Sequence, residues 1–234
     1  TYTKGLERPF DQGLIDDMDS TAAFLCEEIQ GAVCAFVQSD EISIFISDFA
    51  KRETSAWYDN SLQKMVSVSA SLATAKFNQL RMVRKSSEER DHSLSSMAET
   101  AWDNDILTTN DVKTFRLAMF DSRVFQLPTK GEVLNYFIWR QQDTVKNSIS
   151  SVAQSMFSTK ELHGKNGKQK QEMMFQKDGT NWNDFDPKLK RGRIIVKETY
   201  EKQPDVFRTR WVSIAPPTFT KDLMFLNELV PDNN

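Results

Sequence analysis

"CAFVQSDEISIFIS", residues 34–47, decides the fold of this chain: two runs of strand-forming residues with Ser39, Asp40 and Glu41 between them. Residues 32–37 and 42–46 carry the β-branched and aromatic content of strands. Asp40 and Glu41 sit where a tight hairpin would turn. Such turns favour Asn-Gly or Asp-Gly, so adjacent carboxylates here call for a chemical reason.

Upstream, Leu14, Ile15, Met18, Ala22, Leu25 and Ile29 recur at helical spacing, and Asp11 is a plausible cap. Downstream, beyond a polar loop containing Trp57, lies "SLQKMVSVSASLATAKFNQL" (residues 61–80). It puts Leu62, Met65, Ser69, Leu72 or Ala73, Phe77 and Leu80 on one face. That is a long helix whose Ser and Ala permit close packing on a sheet. "MFDSRVFQLP", residues 119–128, reads as a strand ended by Pro128. The order is helix, strand, strand, helix, strand. One further strand ahead of the first helix completes β-α-β-β-α-β, the ferredoxin-like (split βαβ) arrangement. The chain opens "TYTKGLERPFD" without Met, so that strand is expected upstream of Thr1.

The expected fold class is therefore α+β, with residues 1–130 as one domain and 131–234 as an α/β extension. In the extension, residues 132–157 read as a second long helix and 160–184 as a basic mixture of helix and loop. "KRGRIIVKETYEK" (residues 190–202) reads as a strand entered through a cationic turn, and the remainder, with Pro216 and Pro217, as tail.

Sixteen Phe among 234 residues are compatible with a real core, and the net charge of −3 gives no overall pull toward nucleic acid or anionic membrane. The total hides a segregation: residues 7–28 are acidic, and 160–193 carry excess Lys and Arg. Cys26 and Cys34 make no disulfide framework, which points to a reducing, cytoplasmic setting and to two small buried hydrophobes. No apolar run approaches the roughly 20 residues of a membrane span, and no signal sequence is visible. His92 and His163 have no partner at metal-ligand spacing.

In a split βαβ palm, the hairpin tip lies close to the end of the central first strand, so carboxylates at both places converge. Mg²⁺ takes one or two carboxylates plus substrate phosphates, and two such ions promote phosphoryl transfer. Without that context, an acidic turn is a solvated turn.

Several long motifs then occur in a telling order: "YTKGLERPFD", "QSDEISIF", "QKMVSVSASLATAKFN", "FDSRVFQLP", "NYFIWRQQD" and "NWND" followed by "KRGRIIVKE". In this order the chain resembles the tRNA(His) guanylyltransferase family, most of all its Thg-like 3′–5′ polymerase branch. The resemblance implies a palm-type catalytic domain at 1–130 that adds nucleotides, GTP preferred, to the 5′ end of tRNA. It also implies two Mg²⁺ ions, ATP as a possible 5′-activating substrate, a homotetramer, and an RNA-binding role for 131–234.

Carried over by residue, Asp40 resembles the family's second metal-binding Asp, Ser39 the nucleotide-contacting Ser and Glu41 the required acidic neighbour. Alternation along a strand sends Asp40 and Glu41 to opposite faces, so Asp40 ranks first as ligand. Lys64 matches a helix Lys that meets a triphosphate, and Arg8 a basic residue near the incoming nucleotide. Read alone, Lys64 is a solvated helix Lys. The first metal-binding Asp, in an Asp-Gly-Arg motif, is expected shortly before Thr1.

Eukaryotic members carry His-Ile-Asn-Asn after Trp-Arg-Gln; in "WRQQDTVKNSI", Val145 replaces the His and Asn147 is kept. The resemblance therefore ranks templated repair of 5′-truncated tRNA above dedicated addition of one G to tRNA(His). Lys190, Arg191 and Arg193 crowd one turn of the basic tract and suit RNA phosphates. Arg123, Arg140 and Asn147 are further RNA-binding candidates, each Arg with a structural ion pair as its alternative. A nucleotide cyclase also uses two metals on such a palm, but needs no basic extension. An inactive RNA-binding homologue is the other alternative.

Overall fold

A computed structural model describes residue 3 and residues 5–48, 54–96 and 116–231, with side chains through 87 in the second helix. His92 lies outside the described side chains.

Asp11 caps α1 (Gln12–Glu28), its carboxylate accepting from the Leu14 amide at 2.7 Å. Gly31, at φ +83°, turns the chain into β1: a Cβ there would come within 2.9 Å of the Ser47 carbonyl oxygen. β1 (Ala32–Gln38) pairs antiparallel with β2 (Glu41–Ile46), as the sequence leads one to expect. Both faces of β1 are covered, which explains its unbroken apolar run. Ala35 and Val37 meet Met18 and Ala22 of α1 and Phe77 of α2 (Leu62–Ser96). Cys34 and Phe36 point the other way, to Phe137 and Phe219.

α3 (Lys130–Met156) covers that second face. Its buried stripe runs through Val133, Phe137, Arg140, Thr144, Ser148 and Val152, at helical spacing. The stripe is polar only in its middle, from Arg140 to Ser148. Four short helices complete the described chain: α4 (Thr159–Leu162), α5 (Gly167–Asp178), α6 (Pro187–Arg191) and α7 (Leu223–Leu229).

β3 (Arg193–Gln203) and β4 (Val206–Ile214) give one antiparallel sheet in the order β2-β1-β3-β4. Only Arg193, Ile194, Ile195 and Val196 pair with β1; beyond them β3 and β4 continue as a two-stranded ribbon. The sheet thus takes strands from both halves of the chain.

Two expectations need correction. Residues 119–128 form no ladder among the described residues. They lie along α2, where the Phe120 amide donates to Thr74 Oγ1 at 3.1 Å and Ser69 Oγ meets Ser122 Oγ at 2.7 Å. From residue 117 to 125 exposed side chains alternate with buried or half-buried ones, the period of a strand, but no neighbouring strand among the described residues supplies hydrogen bonds. The tail is also more than tail. It contains β4 and α7, and Phe219 and Leu226 are fully buried in the cluster around Phe36. The apolar face of α3 is covered by this sheet and by α5.

Candidate functional site

Gln38 and Glu41 are the last paired residues of the hairpin, so its turn consists of Ser39 and Asp40. Glu41 is the first residue of β2 rather than part of the turn. Ser39 adopts φ +46°, a conformation that a residue with a Cβ takes at a cost. Asp40 is exposed, and its carboxylate makes no hydrogen bond or ion pair with any described residue.

Glu41 is occupied. Its Oε2 accepts from Gln38 Nε2 at 2.7 Å and from Arg140 Nη2. Gln38 Oε1 in turn accepts from Thr144 Oγ1, one turn along α3 from Arg140. Gln38, Arg140 and Thr144 are 5%, 8% and 6% exposed, so this polar patch is part of the interior. The polar middle of the α3 stripe lies where the helix passes the hairpin.

The same end of the sheet gathers several candidate cations. α1 runs antiparallel to β1, with Met18 and Ala22 packed near Val37 and the Ile29 carbonyl meeting the Ala32 amide at 3.1 Å. The start of α1, and Arg8 just before it, therefore lie toward the hairpin end. β3 begins with Arg193 opposite Val37, which puts residues 190–193 at that end too. Arg8 is exposed, and neither Arg8 nor Arg191 makes a side-chain hydrogen bond or ion pair with described residues. Lys190 Nζ donates to the Asn183 carbonyl and stands 5.6 Å from the centre of the Trp182 ring. Asn147, one turn beyond Thr144 on α3, is exposed and donates to Asp143 at 3.1 Å.

Other candidates either face inward at that end or lie elsewhere. Arg193 is 3% exposed and donates through Nε to Asp19 Oδ1 at 2.6 Å, and Ser213 binds the other carboxylate oxygen at 2.6 Å. Arg140, bound to Glu41, likewise faces inward rather than toward an RNA surface. Arg140 thus realises its ion-pair alternative, and Arg193, expected to meet RNA phosphate, is held in a buried ion pair as well, because each position points into the interior. Arg123 is on the surface beside Asp121, at 3.3 Å, an exposed pair of small energetic weight. Lys64 lies in the first turn of α2, with Nζ 5.8 Å from the Tyr58 ring centre. Its neighbour Met65 packs with Leu25, Ile29 and Trp57, beside the beginning of β1. The seven residues of β1 span about 20 Å, so Lys64 and Asp40 occupy opposite ends of the sheet.

Burial pushes the Cys26 thiol up to about 12, an effect that nearby Lys197 partly opposes, and pushes the Cys34 thiol up as well. Both are buried and free, with no nucleophilic role at neutral pH. Among the described residues no group of three or more His, Cys, Asp or Glu is placed to hold a metal ion, and no helix is long and apolar enough to cross a membrane. Near the basic tract, Lys168, Glu172, Phe175, Asn181 and Trp182 line an open groove between α5 and the following turn.

The residues that sequence reasoning missed are Gln38, Thr144 and Asp19. The available signal was weak: Gln38 is a polar residue ending an apolar strand, and Thr144 follows Arg140 by one helical turn.

Comparison with known proteins adds the following. The profile of a family described as tRNAHis guanylyltransferase matches residues 1–128. A probable tRNA(His) guanylyltransferase of Drosophila melanogaster is 23% identical over 206 residues, covering 84% of this chain and 62% of that protein. The chain thus spans less than two thirds of that relative, and only 31% of a tRNA(His) guanylyltransferase of Arabidopsis thaliana. A bacterial tRNA(His) guanylyltransferase-like protein solved in complex with ATP is 40% identical, with a TM-score of 0.77 over 98% of this chain and 84% of that one. The structure described as the GTP complex of a bacterial tRNA(His) guanylyltransferase-like protein gives 39% and 0.73, over 97% of this chain and 83% of that one.

Proposed function

Because the chain belongs to the tRNA(His) guanylyltransferase family, we propose that it serves a nucleotidyltransferase adding nucleotides, GTP preferred, to the 5′ end of tRNA in the 3′–5′ direction. The observation that carries this reading is the Asp40 carboxylate at the hairpin tip, free of partners among the described residues, with Arg8, Lys190 and Arg191 at the same end of the sheet. A carboxylate committed to neither cation nor amide suits a hard divalent ion, and the triphosphate and water complete the ligands. Asp40 would hold Mg²⁺, and Glu41, already bound to Arg140 and Gln38, would not. Mg²⁺ bound there supplies Lewis acidity for phosphoryl transfer, with two ions as the full complement. The Ser39 hydroxyl is placed to contact the nucleotide, and Arg8 to neutralise phosphate charge. Lys64, a full strand length away, would meet a second triphosphate-bearing end rather than the one at Asp40, for instance where ATP activates a 5′ terminus.

Helices α1 and α2 on one face of the β1-β2 hairpin support a ferredoxin-like palm. The outer edge of β2 and the alternating segment 117–125 would both find hydrogen-bond partners in a strand lying between them. We divide the labour at residue 130: nucleotide chemistry before it, RNA contacts after it, with Lys190, Arg191 and Asn147 on the RNA side. Val145 in the place of the eukaryotic His, and 40% identity to the bacterial protein, favour templated repair of truncated tRNA over addition of a single G. Exposed Leu117, Met119 and Phe125 offer an apolar strip for a homotetramer, and buried free thiols suit the cytoplasm.

The test is templated addition of labelled GTP to a tRNA lacking its first nucleotide, by the full-length protein at saturating Mg²⁺. Asp40→Ala should abolish addition while changing stability by no more than about 0.5 kcal/mol, as for a surface turn residue. Turnover like that of the unsubstituted protein would remove the metal role.

A further inference from the structure

Resting on that reading of Asp40, we propose that Arg140 is a positioning residue: acting through Glu41, it fixes the hairpin that presents Asp40. A two-residue turn has no packing of its own, and Ser39 and Asp40 are both exposed. Their position is set by the residues on either side. Gln38 and Glu41 are cross-strand partners, and each is tied to α3, Gln38 through Thr144 and Glu41 through Arg140. The Gln38 amide links the two ties by donating to Glu41 at 2.7 Å. One helical turn of α3 thus grips both feet of the turn.

The grip has features of a fixed part rather than of a passing surface contact. The Arg140 side chain is 10% exposed, while the Glu41 side chain is 55% exposed. The guanidinium reaches its partner from a buried position, leaving its Nε buried without a hydrogen-bond partner among the described residues. Burying a guanidinium in this way is unfavourable unless its remaining contacts are well formed. They include the Trp139 ring, whose centre is 5.0 Å from Arg140 Cζ. Ser39 at positive φ would relax if its neighbours were free to move. Held at both feet, it keeps the Asp40 carboxylate clear of protein partners. This gives the acid beside Asp40 a defined role. Glu41 receives the cation that holds the strand start, and the Asp40 oxygens stay available.

Two measurements test this. Amide hydrogen exchange of residues 38–41 is followed, and kcat and the KM for GTP are measured, in the same protein. Arg140→Met, which keeps length and removes the ion pair, should raise exchange at Asp40 and Glu41 at least tenfold. It should lower kcat by tenfold or more, with the KM for GTP within about threefold. Arg140→Lys should recover part of both effects, and Glu41→Gln combined with Arg140→Met should be no worse than Arg140→Met alone. Thr144→Val serves as a milder variant if Arg140→Met does not fold, with the same change expected at Gln38. Unchanged hairpin exchange in the Arg140 variant (or in Thr144→Val where that variant stands in) overturns the clamp. Raised exchange with full activity also overturns it as a positioning device. An active Asp40→Ala protein with normal hairpin exchange would instead sink the metal reading, so the two failures are distinct.

Discussion

Gly192 joins the cationic turn to β3, and replacing it with Ala tests how that end of the sheet is held. Its φ of 82° and ψ of −172° lie in a region open essentially to glycine alone. Strain of this kind costs about 1–3 kcal/mol. A Cβ there would also lie 2.7 Å from Phe36 Cζ and 3.0 Å from the Val37 carbonyl oxygen. Phe36 cannot swing aside, because its ring is 1% exposed and packs against the Phe137 and Phe219 rings at centroid distances of 6.5 and 6.1 Å. Overpacking of that sort adds about 1–3 kcal/mol. Gly192→Ala should therefore destabilise by about 2–6 kcal/mol. Gly164→Ala is the control: φ is also positive, at 71°, but nothing lies within 4 Å of the added Cβ, so only a left-handed penalty of about 1–2 kcal/mol is expected. Urea unfolding followed by circular dichroism measures both. Equal losses in the two variants would mean that the approach of Gly192 to Phe36 carries no weight, and the packing account of this turn would fail.

Lys190→Ala with Arg191→Ala should weaken RNA binding and leave nucleotide binding nearly intact. The slope of log affinity against log salt should fall by roughly 1.4 to 1.8 if both contact phosphates, and an unchanged slope returns them to solvent-facing cations. Asp17, 3% exposed and bound by Arg84 at 2.8 Å and Arg81 at 3.1 Å, should cost about 3–5 kcal/mol on replacement by Ala; an unfolding midpoint within experimental error of the parent would contradict that. The two cysteines should resist thiol reagents at pH 8 in the folded protein and react on unfolding. Their folded pKa values are raised by burial, Cys26 to about 12, so their effect on stability appears above the unfolded value of about 8.5. There the unfolded chain loses protons that the folded one keeps, and stability falls as pH rises, by about 1.4 kcal/mol per thiol at pH 9.5. A Cys26→Ala/Cys34→Ala protein that showed the same decline would locate it elsewhere.

The hairpin and its two helices were legible in the sequence because their periods are clean: five apolar positions of α1 and its cap Ile29 at helical spacing, and β1 as an unbroken apolar run. Residues 119–128 carry a strand's alternation, but alternation specifies which side is buried and not whether another strand is there to bond. The tail hid β4 and α7. The ribbon end of β4, "VFRTR", is exposed, and Phe219, Leu226 and Val230 are too widely spaced to announce a core element. The fates of the arginines were least accessible. Arg140 meets Glu41 across 99 residues of chain, and Arg193 meets Asp19 across 174. Local composition marks such residues as cationic and cannot distinguish a surface from a buried pair. The free carboxylate of Asp40 and the bound one of Glu41, adjacent in sequence, were separable only by strand alternation.

The pairing of β1 with β3 has a consequence for synthesis. Phe36 is sealed partly by Ile194 and Phe219, residues that leave the ribosome long after it. At about 5–20 residues per second, the interval between Phe36 and Ile194 is about 8–30 s. Through it the hairpin keeps an open strand edge, and until α3 is made it also carries one uncovered apolar face. The nascent N-terminal half is thus a natural client for chaperones, and a fragment ending near residue 128 should aggregate where the longer chain folds.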